Sequence, residues 1–347
     1  MSEGIANPPG TDGTTNAPPR CNVCGGPAST LLAGEPAVVR CSSCGLVSLE
    51  KFPGKAEQQA RYQEDYYDRE KGERFLGAFE RALRFFKKLR VRAILRRLPG
   101  PGSLLDVGCG RGDLLELFQE LGWRAVGTQV SRTAARAARA SRGVEVILGE
   151  LPQLSLPAQG FHAITFFHVL EHLDRPSDYL RKARELLAPG GLLVVEVPNW
   201  ESPGLRLLGR RGFCFDYPNH LVFFTPSSLR RLLGECGFEV EAESHFSLEY
   251  SPYTTLQNLL NLLPGEPNRL YRALGLNADS RKLRSSPWTW LHALLAAVLA
   301  VPAMLISLTS LVFPAGNTLR VYCRGKGERS PAAVEPARAE PVSEPRS

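Results

Sequence analysis

A glycine-rich turn after a short apolar run is the first place in the sequence where ligand chemistry is expected. The run covers residues 103–107, and Gly108, Gly110 and Gly112 follow at alternate positions. Glycine lets the backbone turn sharply and approach a ligand closely, and the free N–H groups of a following helix favour an anionic group. Asp106 would repel a pyrophosphate but could receive the ammonium of an amino-acid ligand. A nicotinamide- or flavin-binding loop is the alternative, because a lone glycine-rich turn discriminates poorly between cofactors.

Four cysteines form two closely spaced pairs. Each pair reads C-x-x-C-G, and sixteen residues separate the two pairs. Two thiolates of such a pair can turn toward one ion, and four thiolates complete the tetrahedral shell that zinc favours. The pattern predicts a structural zinc ribbon. A redox dithiol is the alternative, but the presence of two such pairs argues against it. The predicted ligands are Cys21, Cys24, Cys41 and Cys44.

The charges of the chain are distributed unevenly. The net charge of +7 is modest for 347 residues, but residues 84–97 carry seven Lys and Arg in an amphipathic pattern. We expect a solvated helix face there, with an anionic membrane surface or a nucleic acid as alternative partners. Between Cys21 and Glu50 the only charged residues are Glu35, Arg40 and Glu50 itself, so the ribbon has no cationic surface for a phosphate backbone. Nucleic acid is therefore not an expected partner.

Short apolar runs alternate with helical periods from residue 103 onward. The predicted strands cover 103–107, 124–130, 144–148, 163–167, 192–197, 239–247 and 318–324, and the predicted helices cover 113–121, 133–140 and 176–187. This alternation predicts an α/β fold with a parallel sheet covered on both faces. Ligands of such sheets bind at the carboxyl ends of the strands, where the glycine turn lies.

The segment Leu-Asp-Val-Gly-Cys-Gly-Arg-Gly at 105–112 resembles the first motif of class I S-adenosylmethionine (SAM) dependent methyltransferases. The resemblance extends over most of residues 21–247. With its cysteine ribbon, its Tyr62, Tyr66 and Tyr67 segment and a later His-Val-Leu-Glu-His run, the chain is similar to bacterial ribbon-bearing methyltransferases. These include sugar C-methyltransferases and enzymes of envelope-polysaccharide pathways. The resemblance implies a Rossmann-like seven-strand sheet, with SAM as the cofactor.

The resemblance also implies which residues bind SAM. Asp106 and the glycine turn would hold the methionine end, and Gln129 would meet the ribose. Glu150 and Leu151 would lie beside the adenine, and His168 near the sulfonium. The ribose position is usually an acid that accepts bonds from both hydroxyls, whereas an amide accepts one and donates elsewhere, so affinity is the open point. The full set is Asp106, Gly108, Cys109, Gly110, Gly112, Gln129, Glu150, Leu151 and His168.

His220 is the candidate general base, because it is the imidazole of an aromatic loop at 213–225 in which Asp216 could orient it. This loop resembles the histidine-bearing loop of sugar C-methyltransferases. There a glutamate precedes the histidine, whereas Asn219 precedes it here. A structural histidine that caps the helix beginning at Thr225 is the alternative.

The run from His168 to His172 provides two further candidates, Glu171 and His172. It matches the H-x-x-E-H pattern of zinc peptidases, but that pattern needs a helix with both histidines on one face. This run begins at the end of an apolar strand. We expect Glu171 and His172 to shape the substrate side of the cleft, with structural capping as the alternative.

About seventy residues separate the predicted sixth and seventh strands, far more than an ordinary connection. Residues 293–313 carry no charge and are long enough to span a membrane. Because one crossing would separate the two strands, we expect a kinked re-entrant or interfacial hairpin broken at Pro302, with 256–313 against the membrane surface. A buried helical subdomain or a dimer interface is the alternative. The flanking aromatic and basic residues are Arg281, Lys282, Arg284, Trp288 and Trp290.

These features divide the chain into six segments and suggest one activity. The predicted segments are a disordered tail (1–20), a zinc ribbon (21–50), a helical connector (51–100), a SAM methyltransferase domain (101–247 with 317–326), a hydrophobic insertion (248–316) and a second disordered tail (327–347). Because no export signal is found, the expected enzyme is cytoplasmic, peripheral or monotopic at the membrane. It would methylate a small-molecule, sugar or lipid-linked acceptor. An RNA methyltransferase and a non-catalytic membrane scaffold are alternatives. The acceptor, its reacting atom and the oligomeric state stay open.

Overall fold

The computed structural model describes residues 19–54, 57, 77–274 and 282–328, with side chains from residue 84 onward in the second long range. Tyr62, Tyr66 and Tyr67 lie outside the described residues, as do nearly all of the two predicted tails and part of the predicted connector.

The strands are numbered in chain order. They are β1 (Ala28–Leu32), β2 (Val38–Cys41), β3 (Val47–Leu49), β4 (Ser103–Val107), β5 (Arg124–Gln129), β6 (Glu145–Leu148), β7 (Phe161–Phe167), β8 (Leu187–Pro198), β9 (Val222–Phe223), β10 (Phe238–Ser244) and β11 (Thr318–Gly325).

The α-helices are numbered in the same way. They are α1 (Gly77–Leu95), α2 (Asp113–Gln119), α3 (Arg132–Arg142), α4 (Pro176–Leu186), α5 (Pro203–Leu208), α6 (Pro226–Glu235), α7 (Ser251–Leu260), α8 (Arg269–Leu274) and α9 (Pro287–Leu308). The helix predicted at 176–187 ends one residue earlier, at Leu186, because residue 187 already belongs to β8.

The large sheet has seven strands in the order β10-β11-β8-β7-β4-β5-β6. Strands β4 to β8 run parallel, while β11 pairs antiparallel with both β8 and β10. The seven-strand, Rossmann-like α/β fold is thereby confirmed. The carboxyl ends of β4 to β8 meet at one edge, and this edge carries nearly all the candidate site residues.

Apolar residues on both faces of the sheet hold the helices in place. On β4, Leu104 packs in one buried cluster with Ile94 and Phe118, whereas Leu105 packs in a second cluster with Leu180. Continuous apolar strands are the signature of a sheet buried on both sides. The second cluster extends into the amino-terminal ribbon, through Val38, Leu46, Val47 and Leu49.

The ribbon contributes three strands to a second sheet. The order of this sheet is β1-β2-β3-β9, and β3 pairs antiparallel with β9. Strand β9 belongs to the loop that carries His220, so the ribbon and the methyltransferase-like part of the chain share one hydrogen-bonded sheet.

The hydrophobic run forms the single helix α9, and the predicted kinked hairpin was wrong. Pro302 lies inside this helix, and its ring is exposed. Because proline lacks an N–H, at most one backbone carbonyl of the helix loses its partner, and the helix continues past Pro302. With 22 residues, α9 is about 33 Å long. By length and composition it is the one described helix that could cross a membrane.

Helix α9 turns polar side chains toward the protein and apolar side chains outward, which is the reverse of a surface helix in a soluble protein. The side toward the protein buries Thr289, His292, Ala303 and Ser307. It packs on α7, whose buried residues are Ser251, Thr254, Thr255, Gln257, Asn258 and Leu260. The outward side exposes Leu294, Val298, Val301 and Leu305 by 61 to 66%. The helix therefore lies along the domain and presents an apolar surface outward.

Candidate functional site

The glycine turn follows β4 at the carboxyl edge of the sheet. Gly108, Gly110 and Gly112 all have positive φ, at 68°, 54° and 76°. A Cβ atom on Gly108 would lie 2.7 Å from a methyl group of Val169, so a larger residue would collide as well as strain the backbone. The turn is thus held against the segment that follows β7, which places two parts of the predicted site in direct contact.

Cys109 fills the inside of this turn. Its N–H donates to the carbonyl of Thr128 at 3.1 Å, and its side chain is buried against Gly127. Burial raises the pKa of the Cys109 thiol, which keeps it protonated. Cys109 therefore shapes the turn through packing and its backbone.

Asp106 is a buried carboxyl group at the end of β4. It accepts a hydrogen bond from Thr165 Oγ1 on β7 at 2.7 Å. Burial raises the pKa of Asp106 to about 7, and the hydrogen bond from Thr165 partly offsets this effect. A carboxyl group in this state can accept a cationic group, and the ammonium of a bound amino acid would favour its ionised form.

Gln129 lies at the end of β5 and is buried. Its Oε1 accepts hydrogen bonds from the backbone N–H groups of Val130, at 2.9 Å, and Ser131, at 3.3 Å. The amide oxygen therefore holds the backbone turn before α3, and the amide NH₂ is the group left for a ligand. A ribose hydroxyl could accept a hydrogen bond from this NH₂. The usual acid at this position accepts from the hydroxyls instead, so Gln129 reverses the direction of the hydrogen bond.

Glu150 and Leu151 follow β6 at the same edge. Leu151 is fully buried, and Glu150 is partly exposed and accepts a weak bond from Gln153 Nε2 at 3.4 Å. The adenine position that the resemblance implies thus has an apolar side chain beside a partly exposed carboxylate.

His168 directly follows β7, has a positive φ of 55° and is held between two buried carboxylates. Its Nδ1 lies 3.2 Å from Glu171 Oε1, and its Nε2 lies 3.3 Å from Glu196 Oε1. Burial opposes a charge on the ring, but Glu171 and Glu196 raise the pKa of His168 to about 9. His168 is thus a cation at neutral pH, and its ring packs on Tyr250 with centroids 4.2 Å apart.

Glu196 joins His168 to a larger buried ion cluster. Besides His168 it contacts Arg90, with the nearest N and O atoms 3.4 Å apart, and Arg320. Arg90 also pairs with Glu249. Despite its burial, Glu196 has a pKa well below the usual range because these cations surround it. With Glu171 the cluster has three cations and three carboxylates, so its charges balance.

Arg90 shows that the basic helix α1 is not the freely solvated face that we expected. Arg84 pairs with Glu116 and Glu120, and Lys87 pairs with Asp113. These cations hold α1 across α2 and β8. Arg90 itself was missed from the sequence, because its position in an amphipathic pattern resembles that of its exposed neighbours.

Glu171, His172 and His220 form a compact group beside this cluster. The rings of His172 and His220 meet edge to face with centroids 4.8 Å apart. Each Nδ1 is bonded to a backbone carbonyl, His172 to Asn219 at 2.9 Å and His220 to Cys214 at 2.8 Å. Because a carbonyl only accepts, each Nδ1 carries a proton, and in the neutral form of each ring Nε2 keeps a lone pair.

The electrostatics of this group favour a neutral His172. Burial, and to a lesser extent the neighbouring imidazole of His220, lower the pKa of His172. Glu171 is fully buried, and His168 holds the pKa of this carboxylate below its usual range despite that burial. A ligand atom from each of Glu171, His172 and His220 lies within 4.8 Å of the other two, so the group could also hold a metal ion.

Two alternative roles for these residues are wrong. His220 does not cap the helix at Thr225, because Thr225 and Ser228 form that cap themselves. The H-x-x-E-H run does not form a peptidase helix, because Glu171 and His172 lie in a short 3₁₀ turn. Asp216 stays a weak partner, with its Oδ2 3.8 Å from His220 Nε2.

The four amino-terminal cysteines come together as predicted. The Sγ atoms of Cys21 and Cys44 are 3.8 Å apart, and those of Cys24 and Cys41 are 3.4 Å apart. Zn–S bonds of about 2.3 Å in a tetrahedron require sulfur separations of about 3.8 Å. The four residues therefore fit a closed structural zinc site.

Comparison with known proteins decides the family. The sequence model described as "Methyltransferase domain" matches residues 78–243. The chain is 33% identical over 172 residues to the ubiquinone biosynthesis O-methyltransferase of Caulobacter sp. (strain K31), covering 46% of this chain and 67% of the relative. The chain belongs to the class I SAM-dependent methyltransferases. It is thus an enzyme of this class, and SAM is the cofactor of the family.

Two further proteins are similar to this methyltransferase. The ubiquinone biosynthesis O-methyltransferase of Thiobacillus denitrificans is 28% identical over 185 residues, covering 49% of this chain and 78% of the relative. The crystal structure of a SAM-dependent methyltransferase from Archaeoglobus fulgidus aligns with a TM-score of 0.44 and 20% identity over 71% of this chain and 97% of that one. The family match includes the glycine turn and both candidate histidines, but not the ribbon or α9.

Proposed function

We propose that this methyltransferase transfers a methyl group from SAM to an oxygen atom of a small-molecule, sugar or lipid-linked acceptor at a membrane surface. The contact between Gly108 and Val169 carries the proposal, because it joins the cofactor turn to the segment that bears His168, Glu171 and His172. The relatives named as O-methyltransferases of ubiquinone biosynthesis support oxygen as the acceptor atom.

The cofactor site is assigned to the residues at the ends of β4, β5 and β6. Asp106 and the backbone of the glycine turn would bind the amino-acid end of SAM. The Gln129 NH₂ would donate to a ribose hydroxyl, and Glu150 with Leu151 would border the base. These residues fit SAM. Asp106 offers an anion, the glycine turn offers a backbone that a ligand can approach closely, and Gln129 offers a hydrogen-bond donor.

His168 is assigned to the wall of the cleft near the sulfonium. A cationic imidazole would repel a positive sulfur, but Glu171 and Glu196 offset its charge. The balanced cluster keeps His168 in one orientation, so its role is to position neighbouring groups.

The His220 imidazole is assigned as the general base. Bound SAM supplies a methyl carbon already activated by the positive sulfur. The chain must then orient the acceptor hydroxyl and remove its proton. His220 Nε2 takes this proton because Nδ1 is committed to Cys214, and Asp216 and Glu171 stabilise the resulting imidazolium. His172 and Glu171 hold the ring in place.

The ribbon at 21–50 is assigned as a structural zinc module, and 248–316 as a membrane-lying insertion on the domain 101–247 with 317–326. Helix α9 presents an apolar face flanked by Trp288 and Trp290, which suits the boundary between headgroups and acyl chains. Because the opposite face of α9 packs on α7, the helix lies on the membrane and does not cross it. The enzyme would thus work on the cytoplasmic side.

A methyl-transfer assay tests the activity and separates the alternatives. Purified protein is incubated with methyl-labelled SAM and either a membrane extract or total RNA from a strain that lacks the gene. We expect label in the lipid or glycan fraction. Label in RNA alone would favour the RNA methyltransferase, and protein that neither binds SAM nor transfers label would favour the scaffold.

A further inference from the structure

The ribbon is bonded directly to the loop that carries the candidate base. In the shared sheet Val47 pairs with Phe223 and Ser48 pairs with Val222. The Leu49 N–H donates to the Leu221 carbonyl at 2.9 Å. The residue next to His220 is thus part of the ribbon's hydrogen-bond network.

The other side of the same loop is bonded to the cleft. The Leu221 N–H donates to the Glu171 carbonyl at 2.8 Å, and the Phe224 carbonyl accepts from the Trp200 N–H at 2.8 Å. Leu221 therefore bridges the ribbon on one side and Glu171 on the other. His220, buried beside it, has its position fixed between these two supports.

Side chains reinforce this docking at two places. The Arg210 guanidinium donates to the carbonyls of Leu32, Ala33 and Pro36, at the end of β1 and in the turn that follows it. Arg231 on α6 donates to the Ser43 carbonyl, inside the second cysteine pair. The ribbon is therefore fixed to both elements that flank the His220 loop.

The ribbon depends on its metal site for its own shape. Its three strands have five, four and three residues, and their apolar side chains pack into the methyltransferase core instead of forming a separate one. Modules this small usually need a metal or disulfides to fold. No disulfide joins the ribbon cysteines, and the second pair flanks the turn into β3 through the bond from Cys41 N–H to the Leu46 carbonyl.

We propose that the four-cysteine site positions the catalytic loop, so that metal in the ribbon sets the geometry of His220 through β3 and β9. The inference rests on the proposed role of His220. The cofactor turn is anchored separately, on Thr128 and Val169, so loss of the metal would impair the acceptor side while SAM binding persists. The cysteines and Arg210 are positioning residues, since none of them needs to touch the substrate.

Hydrogen–deuterium exchange with mass spectrometry tests the coupling without an acceptor. Full-length protein is compared with and without zinc, which a chelator removes, and SAM affinity is measured by calorimetry on both samples. We expect peptides covering 213–225 to exchange at least tenfold faster without zinc, while peptides covering 103–112 and the SAM affinity change less than twofold. Unchanged exchange at 213–225, or equal acceleration of both regions, would overturn the proposal.

An Arg210→Ala variant tests the same link with the metal still bound. Its zinc content should match that of the wild type, while 213–225 exchanges several-fold faster and methyl transfer to the membrane extract falls. Arg206→Ala, in which the exposed pair with Glu201 is lost, is the matched control. It should change neither the exchange at 213–225 nor the methyl transfer. If the Arg210→Ala variant binds as much zinc as the wild type and its residues 213–225 exchange no faster, the coupling is contradicted. If SAM does not bind to the zinc-loaded wild type, the proposed function fails, but the exchange data still decide the coupling.

Discussion

The imidazoles of His172 and His220 meet edge to face, with 4.8 Å between ring centroids, although they come from segments 48 positions apart in the chain. Both rings are fixed through Nδ1 to a backbone carbonyl, so both direct a basic Nε2 elsewhere. Burial and the neighbouring imidazole of His220 lower the pKa of His172, so a proton on the His172 ring is disfavoured.

His220→Gln should slow methyl transfer to the membrane extract by about 10² to 10⁴-fold, the usual contribution of a general base. SAM affinity should stay within twofold, because the cofactor turn does not touch this ring. His162→Gln is the control, since that exposed imidazole bonds to Ser103 at the opposite end of the sheet. A His220→Gln rate within threefold of the wild-type rate would exclude the base.

SAM binding should depend on pH through Asp106. The carboxyl has a pKa of about 7 in the free protein, and a bound ammonium favours its ionised form. Binding therefore releases a proton at acidic pH, and affinity rises with pH toward 7. Between pH 5.5 and 7 the dissociation constant should fall about tenfold. Calorimetry in buffers of different ionisation enthalpy measures the released proton, and Asp106→Asn should abolish both effects; a flat profile in the wild type would contradict the assignment.

Gln129→Glu should strengthen SAM binding. One carboxylate oxygen can keep the bonds from Val130 and Ser131, and the other can accept from a ribose hydroxyl. A charged acceptor adds about 1 kcal/mol, or about fivefold in affinity. Gln119→Glu, at the exposed end of α2, is the control with the same change of charge. Equal or weaker binding in Gln129→Glu would show that the ribose does not lie at this position.

Replacing the outward face of α9 should release the protein from membranes. Val298 and Leu305 lie on one face and are 65% and 61% exposed. The double variant Val298→Glu and Leu305→Glu should float with anionic phosphatidylcholine–phosphatidylglycerol vesicles at least fivefold less than the wild type, because each charge is costly among acyl chains. Its SAM affinity should be unchanged. Leu207→Glu, 74% exposed on α5, is the control; a wild type that stays monodisperse and does not float would refute the membrane assignment.

The parts of the fold that were predicted correctly depend on local sequence. The apolar run at 103–107, the glycine turn and the two cysteine pairs each encode their conformation within a few residues, and the structure reproduces them. The strand β9 was not predicted, because two residues carry no periodic signal and their partner Val47 lies far away in the chain.

Two further features depend on tertiary packing that the sequence pattern does not show. Arg90 has the spacing of a surface cation, but the carboxylates of Glu196 and Glu249 reach it only once β8 and the segment before α7 are in place. Pro302 suggested a break in the hydrophobic run. In the fold its ring faces outward, where the lost hydrogen bond is inexpensive, and α9 stays continuous.

The most direct test of the account is a calorimetric SAM titration of the wild type, Gly108→Ala and Gly122→Ala. Both glycines have positive φ, but a Cβ at Gly108 meets Val169 at 2.7 Å, whereas at Gly122 it meets nothing. Backbone strain should cost each alanine variant about 1 kcal/mol of folding stability, and the collision with Val169 adds to this cost in Gly108→Ala alone. We predict one SAM bound per wild-type and Gly122→Ala chain, and no binding to Gly108→Ala. No heat at millimolar SAM in the wild type, or equal binding by all three, would contradict a cofactor site at the glycine turn.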